Sequence, residues 1–144
     1  MGIFTRFRDI VGSNINSMLD RAEDPEKLIK LMILEMEDTL IELKAACAGV
    51  MADNKKVERR LQGLDKRIDY WESKAGLAVH KGRDDLAREA LLEKRRYSQQ
   101  SRSLANELTE HDALLAQYKD DIRQLEDKLK TAREKERLLV QRHI

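Results

Sequence analysis

Proline, cysteine, aromatics and long apolar runs are all scarce in this chain. Among 144 residues there is one proline, Pro25, and one cysteine, Cys47. A single cysteine excludes an internal disulfide, and nothing in the sequence suggests an oxidising compartment. Aromatic residues make up 4% of the chain and charged residues 38%, the profile of long helices rather than of a globular core. No apolar run approaches the ~18 residues that mark a spanning helix. The N-terminus lacks the central apolar block and small-residue cleavage site of a signal peptide, so the expected location is cytosolic. Twenty-eight basic side chains face 27 acidic ones, a net charge of +1. That balance argues against a dedicated nucleic-acid binder, which concentrates basic charge on one face.

What the sequence does have is a heptad ladder. Steps of four and three from Ile29 land on Ile33, Met36, Leu40, Leu43, Cys47, Val50, Asn54, Val57, Leu61, Leu64, Ile68, Trp71, Ala75 and Ala78. Fourteen of these fifteen positions are apolar. A 3.5-residue repeat held this long specifies a supercoiled helix with one continuous seam. A second ladder, in a different frame, runs through Ala87, Ala90, Lys94, Tyr97, Ser101, Leu104, Leu108, His111, Leu115, Tyr118, Ile122, Leu125, Leu129, Ala132, Glu136 and Leu139. The phase jump between them is neither a stutter nor a stammer. Gly82 can supply a left-handed cap at the break, and Asp84 or Asp85 can cap the next helix.

Two ladders of similar length with a short join predict an all-α fold: a long antiparallel two-helix hairpin over residues 25–144, with helices at about 25–80 and 84–143. Pairing positions whose numbers add to roughly 165 puts Glu35, Glu37, Asp38 and Glu42 opposite Arg123, Lys128 and Lys130. It puts Lys55, Lys56, Arg59 and Arg60 near Glu107, Glu110 and Asp112. The polar seam exceptions Asn54 and His111 also meet, a pairing able to fix register.

Residues 1–24 form a separate segment. Asp24 and Pro25 read as a hinge: Asp24 can cap, and Pro25 suits the first helical position. On a helical wheel Ile3, Phe4, Phe7, Ile10, Val11, Ile15, Met18, Leu19 and Ala22 cover about half the circle. Arg6 and Arg8 flank that face, where their stems can lie along lipid while their charges reach headgroups. Asn14 and Arg21 fall within the apolar half and spoil the pattern. Such a helix suits a membrane interface; it equally suits docking back onto the hairpin, and the residues leave both open. The membrane alternative predicts that residues 2–20 are disordered in water and helical on anionic vesicles. Near the base of the hairpin, Leu28, Leu31, Met32, Leu34 and Ile41 are apolar but off the seam, with Leu138, Val140 and Ile144 at the same end. A two-helix seam needs only a narrow stripe, so the surplus predicts an assembly surface.

Several motifs resemble one family. They are Met1-Gly2-Ile3-Phe4-x-Arg6-Phe7, Ala22-Glu23-Asp24-Pro25-x-Lys27-Leu28, Met36-Glu37-Asp38-Thr39-Leu40 and Asp85-Leu86-Ala87-Arg88-x-Ala90-Leu91-x-Glu93-Lys94. The whole chain resembles the bacterial phage shock protein A family, with the plastid and cyanobacterial vesicle-inducing proteins as more distant relatives. Members run well beyond this length, so the chain is expected to be an N-terminal portion.

The resemblance implies a membrane-stress effector of the bacterial cytoplasm and the cytoplasmic face of the inner membrane, related to the ESCRT-III membrane-remodelling proteins. It implies binding of anionic phospholipid through the N-terminal helix, inhibition of an AAA+ transcriptional activator through the hairpin, and self-association of the full-length protein into oligomers. No direct nucleic-acid contact and no cofactor is expected. The competing expectation is a purely structural coiled-coil scaffold or tether without lipid binding. An enzyme is not expected, because no phosphate loop, nucleophile elbow or acid-base pair occurs. His80, His111 and His143 have no second ligand at metal spacing. Lys94-Arg95-Arg96 reads as a solvated coiled-coil face, and Trp71 as seam.

Overall fold

A computed structural model describes residues 2–142. Within them the chain forms four helices: α1 (Ile3–Gly12), α2 (Ile15–Arg21), α3 (Pro25–His80) and α4 (Asp84–Arg142). The two long helices pack together as an antiparallel hairpin. His143 and Ile144, which figured in the sequence reading, lie outside the described residues.

The local signals act where the chemistry places them. Asp24 Oδ1 accepts from the Lys27 amide at 3.2 Å, and Pro25 opens α3. At the turn Gly82 has φ 73°, in the left-handed region. Arg83 N donates to Ala78 O at 2.8 Å and Gly82 N to Val79 O at 3.0 Å, the paired bonds of a Schellman ending. The cap expected at Asp84 or Asp85 is corrected: both stand inside the first turn of α4, where acidic side chains still suit the positive end of the helix. Asp85 pairs with Arg83 at 3.3 Å. That guanidinium, with the Leu86 amide, holds the Asp85 carboxyl below its ordinary value.

Every rung of both ladders is buried or half-buried. The chain divides into two compact units. One comprises Val50–Leu114, the turn and the adjoining arms. Its core holds Val57, Leu64 and Leu104, with Leu61, Tyr97 and Leu108 packed around them. One polar layer interrupts it. Asn54 Nδ2 donates to Asp112 Oδ1 at 3.0 Å, which leaves Asn54 Oδ1 to accept from His111 Nδ1–H at 2.7 Å. The expected Asn54–His111 meeting is therefore present. Lys94, a charged rung, reaches out to Glu72 at 3.3 Å while its stem stays on the seam. Arg67 and Arg96 lie over the Tyr97 ring at 5.4 and 5.1 Å.

The other unit comprises Met1–Gly49 and Leu115–Ile144. Here α1 and α2 lie against the two arms. Ile29, Met36, Leu43, Leu125 and Ala132 are sealed from solvent, and so are the off-seam Thr39 and Asp121. Thr39 Oγ1 donates to Glu35 O at 2.8 Å, and Asp121 Oδ1 accepts from Gln117 Nε2 at 2.8 Å.

Several of the charges set opposite one another by the register take other partners. Glu37 meets Arg133 at 3.3 Å and Lys44 meets Glu126 at 3.9 Å; Glu42 pairs with Arg6. Lys128 bonds to α1 carbonyls, Arg123 to Asp120, and Lys55 to Glu58. Two causes operate. The N-terminal segment supplies its own charges to this face, and neighbours three residues apart on one helix are nearer than residues on the opposite arm.

Candidate membrane-binding site

The N-terminal segment is two helices, not the single one expected over 3–22. Local hydrogen bonding explains the break. Ser13 and Asn14 are extended, at φ/ψ of −72/145° and −98/99°. Ser13 donates to Ile10 O through both its amide, at 3.2 Å, and its hydroxyl, at 2.6 Å, closing α1. Asn14 Oδ1 accepts from Ser17 N at 3.0 Å and caps α2. Short polar side chains of this kind compete for backbone groups and favour helix ends over helix interiors. Asn14 spoiled the apolar wheel because it is a cap. The run Gly12-Ser13-Asn14 carried that signal in the sequence.

Of the two placements the residues left open for the apolar face, the structure has it docked on the hairpin, with residues 3–12 and 15–21 helical rather than disordered. Phe7, Ile15 and Leu19 are buried, and Ile3, Ile10, Val11 and Met18 are half-buried. Phe4 remains 39% exposed, yet its ring stacks on Tyr118 with centroids 5.6 Å apart. Arg6 forms its ion pair with Glu42, while its Nε is buried without a partner. Arg8 stays exposed, with Nε 3.5 Å from Phe4 O. Lys128 Nζ donates to Ser13 O at 2.6 Å and to Val11 O at 3.2 Å. A cation on the last carbonyls of α1 satisfies orphan acceptors at the negative end of the dipole.

The outward side of the segment is polar: Asp9, Asn14, Asn16, Asp20 and Arg21 are exposed. Of the assembly candidates, Leu31 and Met32 line a groove of about 360 Å³ with Arg6, Ile10 and Met18. Leu28 and Met32 are half-buried, whereas Leu31, Leu34 and Ile41 are exposed. Asp24 and Pro25 sit at the start of α3.

The residues that receive the segment were not legible in the sequence. Tyr118 read only as seam, Glu42 and Lys128 only as ion-pairing partners between the arms. Thr39 and Asp121 gave no signal, because a polar residue off the seam normally faces water. The surplus of apolar side chains near the base was the one available hint.

Among the described residues no group of three or more His, Cys, Asp or Glu side chains could hold a metal ion. No described helix is long and apolar enough to cross a membrane. Residues 2–143 match the PspA/IM30 family. The chain belongs to the PspA/IM30 family. It is 35% identical to a membrane-associated protein Vipp1 of Nostoc punctiforme over 139 residues, 96% of this chain and 54% of that one. It is 32% identical to a phage shock protein A homolog of Deinococcus radiodurans over 142 residues, 99% of this chain and 64% of the other. A phage shock protein A homolog of Bacillus subtilis is 33% identical over 129 residues, 90% of this chain and 55% of its own length. The chain thus spans about half the length of the curated relatives it matches.

Proposed function

We propose that this PspA/IM30 chain is a membrane-stress effector that binds anionic phospholipid peripherally through α1 and α2. The observation that carries the reading is the segregated face of Ile3, Phe4, Phe7, Ile10, Val11, Ile15, Met18 and Leu19, flanked by Arg6 and Arg8. Bulky apolar side chains on one side and polar ones on the other, with cations at the boundary, fit a helix lying in the headgroup region. Relatives named membrane-associated proteins support it. The break at Ser13–Asn14 allows two short helices to lie flat at slightly different angles. The setting is the bacterial cytoplasm and the cytoplasmic face of the inner membrane.

The hairpin has a second role in this proposal: it binds and inhibits an AAA+ transcriptional activator, in keeping with relatives named phage shock protein A homologs. Its long, charge-balanced flanks offer a surface for a protein partner. Self-association uses the exposed Leu31, Leu34 and Ile41. In a full-length protein, Leu31→Ser with Leu34→Ser should weaken assembly measured by light scattering and leave monomer helicity intact. Undiminished assembly would make that strip incidental surface.

Co-sedimentation with phosphatidylglycerol vesicles tests the lipid proposal. Wild-type chain should pellet, and Phe4→Glu should stay in the supernatant, because a charge then sits on the inserted face. The competing reading, a scaffold whose N-terminal segment serves only as a structural latch, draws on the burial of Phe7, Ile15 and Leu19. Equal sedimentation of wild type and variant, or none by either, would favour it.

A further inference from the structure

We infer that the docking of α1 and α2 is an autoinhibitory clasp, in which the hairpin and a lipid surface compete for one apolar face. The inference rests on the lipid-binding reading above and adds its regulation. Phe7, Ile15 and Leu19 are buried against the arms, and Phe4 is stacked on Tyr118. These side chains cannot lie in a bilayer interface at the same time. The exposed side of the docked segment carries Asp9, Asn16 and Asp20 beside Arg8 and Arg21, a polar surface of balanced charge that offers little apolar area and no net attraction to an anionic surface. The docked state is therefore a poor lipid binder, and binding requires release.

Two side chains of the long helices, Lys128 and Glu42, hold the clasp through polar contacts. Lys128 grips the last carbonyls of α1, Val11 O and Ser13 O. Glu42 pairs with Arg6, and that pairing occupies a cation which the free segment would turn toward headgroups. Asn14 and Ser13 hold the corner between the helices. The balance is adjustable because a ligand shifts such an equilibrium only by its preference for one state. An anionic bilayer prefers the released segment and offers it an alternative apolar phase. Weak anionic surfaces would leave the clasp closed.

Lys128 is the decisive position. Its hydrogen bonds to the segment go to backbone carbonyls, so its substitution changes no side chain of the lipid-binding face. Loss of a cation should, by simple charge, weaken attraction to anionic vesicles. The clasp predicts the opposite. Lys128→Gln should bind phosphatidylglycerol–phosphatidylethanolamine vesicles about tenfold more tightly than wild type, a difference of ~1.4 kcal/mol. Lys130→Gln, the same charge change at an exposed site away from the segment, should bind equally or slightly less. Glu42→Gln is less clean, because losing an anion favours the same vesicles for a second reason.

A second measurement needs no change to the clasp. Spin labels at Asp9→Cys and Asp127→Cys, with Cys47→Ser, should lie close in buffer and separate when vesicles are added. If Lys128→Gln gained no more than Lys130→Gln, or the labels stayed close on bound vesicles, the clasp would be wrong while lipid binding stood. If neither wild type nor Lys128→Gln bound vesicles and the labels stayed close throughout, the lipid reading itself would fall and the docking would be purely structural.

Discussion

The two compact units are built on the same heptad spacing, yet they exclude water to different degrees. In the unit formed by Val50–Leu114, the buried seam residues keep 5–8% of their surface accessible. In the unit containing the termini, Ile33, Cys47, Tyr118 and Leu129 keep 4–8%, but Ile29, Leu43, Leu125 and Ala132 keep none, and neither does the off-seam Thr39. The difference is not in the ladders. What the second unit has in addition is the layer of α1 and α2, docked on the arms at Glu42, Tyr118 and Lys128. A two-helix seam buries a narrow stripe; a further layer turns that stripe into a core. The lesson bears on function, because the layer that completes one core is also the segment proposed to bind lipid. A part that leaves its core for a membrane must be held weakly enough to go.

The comparison can be broken first at the seam. Leu43→Ala or Leu125→Ala should cost about 3–5 kcal/mol, and Leu64→Ala or Leu61→Ala about 2–3, because truncation costs most where the site is fully enclosed. Denaturant unfolding of the four variants tests this, and equal costs in the two units would erase the contrast. Next come Phe7→Ala and Ile15→Ala. Each should remove ~2 kcal/mol of local stability and speed amide exchange in residues 36–43 and 118–129, with residues 57–64 and 97–108 unaffected. Exchange that quickened throughout would mean that the added layer is not a separable one.

The polar layer sharpens the comparison from the other unit. Asn54→Leu alone leaves His111 and Asp112 without their partner and should cost ~1–3 kcal/mol. Asn54→Leu with His111→Leu should recover that cost or better it, at the expense of a single register. Unfolding curves together with disulfide trapping between the arms would show both effects. The smallest effect belongs to the turn. Asp85→Asn removes a carboxylate held below its ordinary pKa by Arg83 and the Leu86 amide. A depressed folded pKa contributes stability at neutral pH that fades as the pH falls through 3.8 toward the lower folded value. The melting difference between wild type and Asp85→Asn should therefore be slight at neutral pH and vanish in acid.

The sequence's legibility follows the range of the physics involved. The ladders were legible because a seam repeats every seven residues and each rung reinforces the next. The turn at Gly82 and the start at Asp24-Pro25 were legible because caps act within four residues. The Asn54–His111 meeting followed from the register. The break at Ser13–Asn14 was present as a local signal but was overridden by the longer amphipathic pattern around it. Docking of the segment was not legible. An apolar helical face records that it is covered, not by what, and lipid and protein reward the same side chains. Thr39 and Asp121 are buried in the unit that contains α1 and α2, and no pattern along α3 or α4 encodes that.

Hydrogen exchange of the wild-type chain, in buffer and then on phosphatidylglycerol vesicles, tests the central claim most directly. That claim is that one apolar face serves the hairpin in water and the lipid on a membrane. The amides of α1 and α2 should stay protected in both conditions, while residues 36–43 and 118–129 exchange faster on vesicles as their cover departs. Unchanged protection of those two stretches, with the chain demonstrably bound, would contradict the account.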